Sequence, residues 1–97
     1  IYPIGAMDWE WDPSQAEMMK TDDGIVYTWT GMIKAKNSFK FLCQNDGNWI
    51  PSYNRDETAE NYWTLYKKTE DWQPDTCFEV EKGGQYTINL NIKELTI

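Results

Sequence analysis

Two long stretches of the chain alternate apolar and polar residues with a period of two. Ile25, Tyr27, Trp29 and Ile33 fall on one face of 25–33, opposite Val26, Thr28, Thr30 and Met32. Tyr86, Ile88, Leu90 and Ile92 alternate in the same way with Thr87, Asn89 and Asn91. That period belongs to a strand with one face buried and the other in water. Gly83-Gly84 reads as the turn of a closing hairpin, and Leu95 and Ile97 extend the apolar series after a bend near Lys93-Glu94. Asp22-Asp23-Gly24 supplies a turn ahead of the first stretch.

The shorter segments are assigned by the same rule. Ile1 to Gly5 reads as a short apolar strand in which Pro3 argues for an edge position. Residues 6–23 read as loop, with room for a helical turn at Ser14 to Met18. Ser38 to Cys43 is a strand: Phe39, Phe41 and Cys43 share the inner face, so Lys40 points outward and away from the core. The stretch 46–60 reads as a polar, irregular loop, Tyr62 to Tyr66 as a short strand, 67–74 as a charged turn and loop, and Thr76 to Glu81 as another strand. Phe39, Phe41, Tyr86, Ile88 and Leu90 are the expected core, and Lys40, Thr87 and Asn89 the expected surface. The count comes to about seven strands with turns at short intervals and no long helix, which is the pattern of an all-β, Ig-like antiparallel β-sandwich.

A chain of 97 residues has room for one core and one domain, residues 1–97. Its strand-like opening, Ile1-Tyr2-Pro3-Ile4, reads as the start of a domain excised from a longer multidomain protein. No apolar run is long enough to cross a bilayer, and no signal-peptide pattern is present. The net charge of -7 disfavours nucleic acid, anionic membrane surfaces and acidic polysaccharides, and leaves neutral ligands as the natural class. Cys43 is in phase with the core and Cys77 is out of phase with Phe78 and Val80, so the two thiols are expected to be unpaired.

Catalysis finds little support. There are no histidines, which removes Ser-His and Cys-His nucleophile systems and His-ligated zinc. Sixteen acidic residues guarantee some neighbouring carboxylates, so pairs of them have no specificity as a glycosidase signal. Asp22-Asp23-Gly24 and Asn45-Asp46-Gly47 lack EF-hand spacing and read as β-turns. No enzyme activity, cofactor or metal is predicted.

The aromatic residues carry more information. Six tryptophans exceed what a core of this size buries, so some are expected on the surface, where exposed aromatics mark binding. Trp29 belongs to an alternating run and is assigned to the core. Trp11 sits in a polar loop and Trp49 follows the Asp46-Gly47 turn, outside any such run, and Lys40 lies a short reach from Trp49. Two indole plates and a cationic donor suit a sugar, whose rings offer C–H faces to stack on and hydroxyls to bond.

Gly5, a tryptophan loop, Tyr-Thr-Trp-Thr-Gly (27–31), Phe-Lys-Phe-Leu (39–42) and Asp-Gly-Asn-Trp (46–49) together resemble the SusE/SusF family. Those are surface starch-binding lipoproteins of Bacteroidetes built from tandem Ig-like domains. The Phe-Lys-Phe and Asp-Gly-x-Trp segments are also similar to the glycogen-binding modules of AMP-activated kinase and branching enzymes. The resemblance covers most of the chain, from Gly5 to the Gly-Gly-x-Tyr of residues 83–86. It implies two tryptophans curved around a helical α-glucan and a lysine bonding sugar hydroxyls. Placed on this chain, Trp11 (or Trp9) is the first plate, Trp49 the second and Lys40 the donor, with Tyr53, Asn54 and Arg55 on a loop able to add polar contacts. The chain departs from the pattern in carrying two tryptophans in the first loop and a long 46–75 stretch. The implied setting is the outer-membrane cell surface, as part of a lipoprotein, with neighbouring repeats and glycan-uptake components as partners. A structural Ig-like spacer and an accessory domain of a glycoside hydrolase are the alternatives.

Overall fold

A computed structural model describes all residues from Ile1 to Ile97. It contains six strands: β1 (Tyr2–Ile4), β2 (Val26–Ile33), β3 (Lys40–Leu42), β4 (Ser52–Arg55), β5 (Leu65–Lys68) and β6 (Gly84–Asn91). They form two antiparallel sheets, one of four strands in the order β1-β3-β4-β5 and one of two, β2-β6. The all-β, two-sheet arrangement is the one the alternation predicts. β1 lies at a sheet edge, where a proline removes no ladder bond from a central strand.

β2 and β6 pair along their whole length, with Trp29 opposite Ile88 and Thr30 opposite Thr87. Trp29, Ile33, Ile88 and Leu90 point inward, where they join Phe39, Phe41, Tyr53, Leu65 and Phe78 in one core cluster. The solvent face carries Thr28 bonded to Asn89 (2.8 Å) and Thr30 to Thr87 (2.9 Å). Phe39, Phe41 and Phe78 meet at 5.8–6.2 Å between ring centroids, and Trp63 stacks on Phe78 at 5.4 Å.

Several expectations are corrected. Gly83-Gly84 does not turn a hairpin: it opens β6, whose partner is the distant β2 rather than the preceding segment. Tyr86 is half-buried rather than buried, because its hydroxyl reaches out to the Lys82 carbonyl at 2.6 Å. The segment 76–81 forms no continuous ladder. Its alternate carbonyls at Thr76, Phe78 and Val80 accept from Arg55, Phe39 and Lys36 in turn, so single bonds tie it to β4 and to residues 36–39. β5 begins later than expected and takes in Lys67 and Lys68. The expected helical turn is a short 3-10 turn, Pro13–Gln15, capped by the Asp12 carboxylate. Cys43 and Cys77 are both half-buried and both free.

The largest correction concerns the outer face of the four-stranded sheet. Tyr53, Asn54 and Arg55 lie in strand β4, not in a loop. The pairing puts Lys40 beside Ile4 and Leu42 beside Ser52, with Asn54 and Lys68 on the same outward face. That face is not open to water. Lys40 is 5% exposed and Lys68 6%, and Ile4, Leu42, Ser52 and Asn54 are fully buried. Trp11, Trp49, Ile50 and the loop of residues 70–75 lie against it. Lys40 therefore points away from the core as the alternation requires, yet it is buried beneath a second layer.

Candidate functional site

Those covering loops bring three of the sequence-predicted residues together. Trp11, Lys40 and Trp49 line one shallow, open depression of about 560 Å³, with Ile50, Lys68, Asp71 and Asp75 as its other walls. The two indoles stand 6.5 Å apart, tilted at 46°, and the Lys40 ammonium lies 5.9 Å from the Trp49 ring. Both plates are substantially exposed, Trp11 at 45% and Trp49 at 42%.

Each plate is held by local backbone geometry. Glu10 adopts a left-handed conformation (φ 51°), and its carbonyl accepts from Gly5 at 2.8 Å. This break in the chain sends its neighbours in opposite directions. Trp9 turns inward, packs edge-on against Trp29 at 5.8 Å and donates its indole N–H to the Pro3 carbonyl, while Trp11 stays outside. Of the two tryptophans in the first loop, Trp11 is the one the fold presents. Gly5 makes this possible: at φ 119°, a Cβ there would meet the Ser38 carbonyl oxygen and the Trp11 ring. Gly5→Ala is expected to lower the melting temperature and displace Trp11, which thermal denaturation together with indole fluorescence would register; an unchanged melting curve would refute the strain.

Trp49 sits on a similarly braced loop. Gly47 takes φ 95°, the Asp46 carboxylate accepts from the backbone and side chain of Asn48, and Gln44 donates to the carbonyls of Asn48 and Pro51. The turn residues thus order the segment through its own bonds.

The two buried lysines differ in what their ammonium groups have left to offer. Lys68 donates to the carbonyls of Glu70, Asp71 and Gln73 at 2.9, 3.1 and 2.6 Å, which occupies all three of its N–H bonds. Lys40 makes one bond, 2.6 Å to an Asp75 oxygen, and is one of the residues that line the depression. Asp75 is in turn held by Asn54 at 2.8 Å, and Asn54 accepts from Ser52 at 2.7 Å. On the same face the Tyr66 hydroxyl is buried without a partner. Burial, reinforced by nearby Asp75, pushes its pKa up.

Burial works against the charge on Asp75, but the bonds from Lys40 and Asn54 and the attraction of Lys40 and Lys68 outweigh it and hold the carboxyl below its usual range. A carboxyl depressed in the folded state stabilises it above the unfolded value, about 3.9, and loses that contribution as the pH falls through the folded value. The melting-temperature difference between the native chain and Asp75→Asn is therefore expected to be constant from pH 5 to 8 and to shrink below about pH 4. A difference that does not change with pH would show that the ion pair contributes nothing.

The remaining candidates have other surroundings. Tyr53 is buried in the core cluster, Asn54 is buried as the brace for Asp75, and Arg55 donates to the Cys77 carbonyl and lies over the Tyr62 ring. None of the three lines the depression. Sequence reasoning missed Asp75, Asp71 and Lys68. No sequence signal marked them: Lys68 reads as part of a charged turn, and only the structure shows it buried at the end of β5. A second cavity of about 250 Å³, lined by Ile33, Phe39, Trp63, Val80, Tyr86, Thr87, Ile88 and Ile97, opens at the sandwich edge. Its lining is almost wholly apolar. No cluster of three His, Cys, Asp or Glu side chains is arranged to hold a metal ion. No family model, curated protein or solved structure matches the chain.

Proposed function

We propose that the chain is a non-catalytic carbohydrate-binding domain that takes a neutral polysaccharide, with α-glucan favoured, at a cell surface. The observation that carries this reading is the convergence of Trp11, Trp49 and an incompletely bonded Lys40 ammonium in one open depression. Tilted, exposed indoles suit the curved apolar face of a helical glucan. Lys40 supplies a charge-assisted donor for a hydroxyl pair, and the carboxylates of Asp75 and Asp71 supply acceptors. The acidic balance of the chain is compatible with an uncharged ligand. The resemblance to SusE/SusF domains supports the same reading, and implies the setting of an outer-membrane lipoprotein.

Such a surface buries little area. At about 25 cal/mol per Å² a few hundred square ångströms give a modest gross gain, and lost rigid-body freedom leaves roughly 4–7 kcal/mol. That corresponds to affinities from about millimolar to tens of micromolar. Weak single sites suffice when linked repeats engage one long chain. The test is affinity electrophoresis of the domain in gels containing soluble starch, xylan or mannan. Retardation by starch is expected. Retardation by xylan or mannan alone would overturn the choice of ligand, and mobility unchanged in all three would favour the spacer role.

A further inference from the structure

Trp72 is an exposed indole that does not line the depression. It is 80% exposed, more than any other large apolar side chain of the protein. Its loop is firmly braced. The Lys68 ammonium binds the carbonyls of Asp71 and Gln73, the residues on either side of Trp72, and that of Glu70. The Gln73 side chain accepts from the backbone N–H groups of Thr69 and Glu70 at 2.7 and 2.9 Å, and the Gln73 N–H returns to the Glu70 carbonyl at 3.2 Å. A buried lysine thus spends its whole bonding capacity on fixing the tip that holds an indole in water. Asp71, immediately before Trp72, already forms a wall of the Trp11–Trp49 depression.

Resting on the carbohydrate-binding reading above, we infer that Trp72 is a third stacking surface, which engages a glucan chain where it runs on beyond the depression. The surroundings favour a neutral sugar over other occupants. Glu70 and Asp71 oppose an anionic bilayer, and the exposed neighbours Thr69, Glu70, Asp71 and Asp75 are too polar for the apolar centre of a protein interface. The loop is braced before any sugar arrives, so stacking on its indole orders little backbone. The extension makes affinity depend on ligand length: a short oligosaccharide fills the depression, and a long one also reaches Trp72.

Calorimetry with maltotriose and maltoheptaose on the native chain, Trp72→Ala, Trp72→Phe and Trp49→Ala tests this. Trp72→Ala is expected to weaken maltoheptaose binding about tenfold and leave maltotriose unchanged. Trp72→Phe should retain most of the maltoheptaose affinity, and Trp49→Ala should weaken both ligands. Unchanged maltoheptaose affinity in Trp72→Ala, with binding lost in Trp49→Ala, would overturn the third surface alone. Equal weakening of both ligands by Trp72→Ala would place Trp72 inside the depression and overturn the extension. If the native chain bound neither ligand, the carbohydrate-binding reading would fall and this inference with it.

Discussion

Trp49→Ala is expected to reduce starch binding at least roughly twentyfold, to the limit of detection for a site of this affinity, while the domain stays folded. The indole is 42% exposed and touches Trp11 and Lys40 rather than the core cluster. Its removal takes away one of two stacking plates and the aromatic face beside the Lys40 ammonium. What remains is a single tilted ring and a donor, too little to offset the freedom lost on binding. Trp11→Ala is expected to behave in the same way. Affinity electrophoresis in starch and a thermal melt of the same sample separate the two effects, with mobility restored to that of an inert protein and the melting temperature moved by a few degrees at most. Starch retardation in both variants equal to that of the native chain would place the site elsewhere on the molecule.

Trp29→Ala should do the opposite and strongly destabilise the domain, unfolding it well below the native melting temperature. Trp29 is 7% exposed, packs edge-on against Trp9, lies over Gly31 and donates its indole N–H to Glu17 at 2.9 Å. A Cβ at Gly31 would strike the Trp29 ring, so the backbone there is shaped around this side chain and closes on nothing when the ring is removed. Truncating a buried aromatic costs about 3–5 kcal/mol. A domain of this size commonly has only about 5–15 kcal/mol of total stability. The melting temperature should fall by roughly 15–30 °C, with starch binding lost at temperatures where the native chain still binds. A fall of less than about 5 °C would show that the pocket around Trp29 collapses and refills.

The parts of the fold that were legible are those with one face in water. β2 and β6 announce themselves because Thr28, Thr30, Thr87 and Asn89 are solvated opposite a buried row. β4 was hidden for the converse reason. Ser52 and Asn54 are buried under loops, Tyr53 faces the core, and asparagine is a poor strand former, so no alternation of apolar and polar residues marks the segment. Gly83-Gly84 signalled a change of direction but could not name the partner of the strand it opens, because pairing is a non-local property. Trp11, Lys40 and Trp49 could be picked out individually, as aromatics outside any alternating run and a lysine between two phenylalanines. Their meeting could not be read, since it depends on two separate loops folding over the strand that carries Lys40. The choice between Trp9 and Trp11 hung on a single left-handed residue, Glu10, which side-chain patterning does not reveal.

β3 is only three residues long, yet Phe41 on one side of it belongs to the hydrophobic cluster and Lys40 on the other to the depression. A slip of one residue would exchange the two faces and lose both at once. On the proposed reading, retention on a starch column would therefore serve as a selection for correctly paired chains. A library randomised at core positions could be sorted by it, with survivors reporting which packings keep β3 in frame.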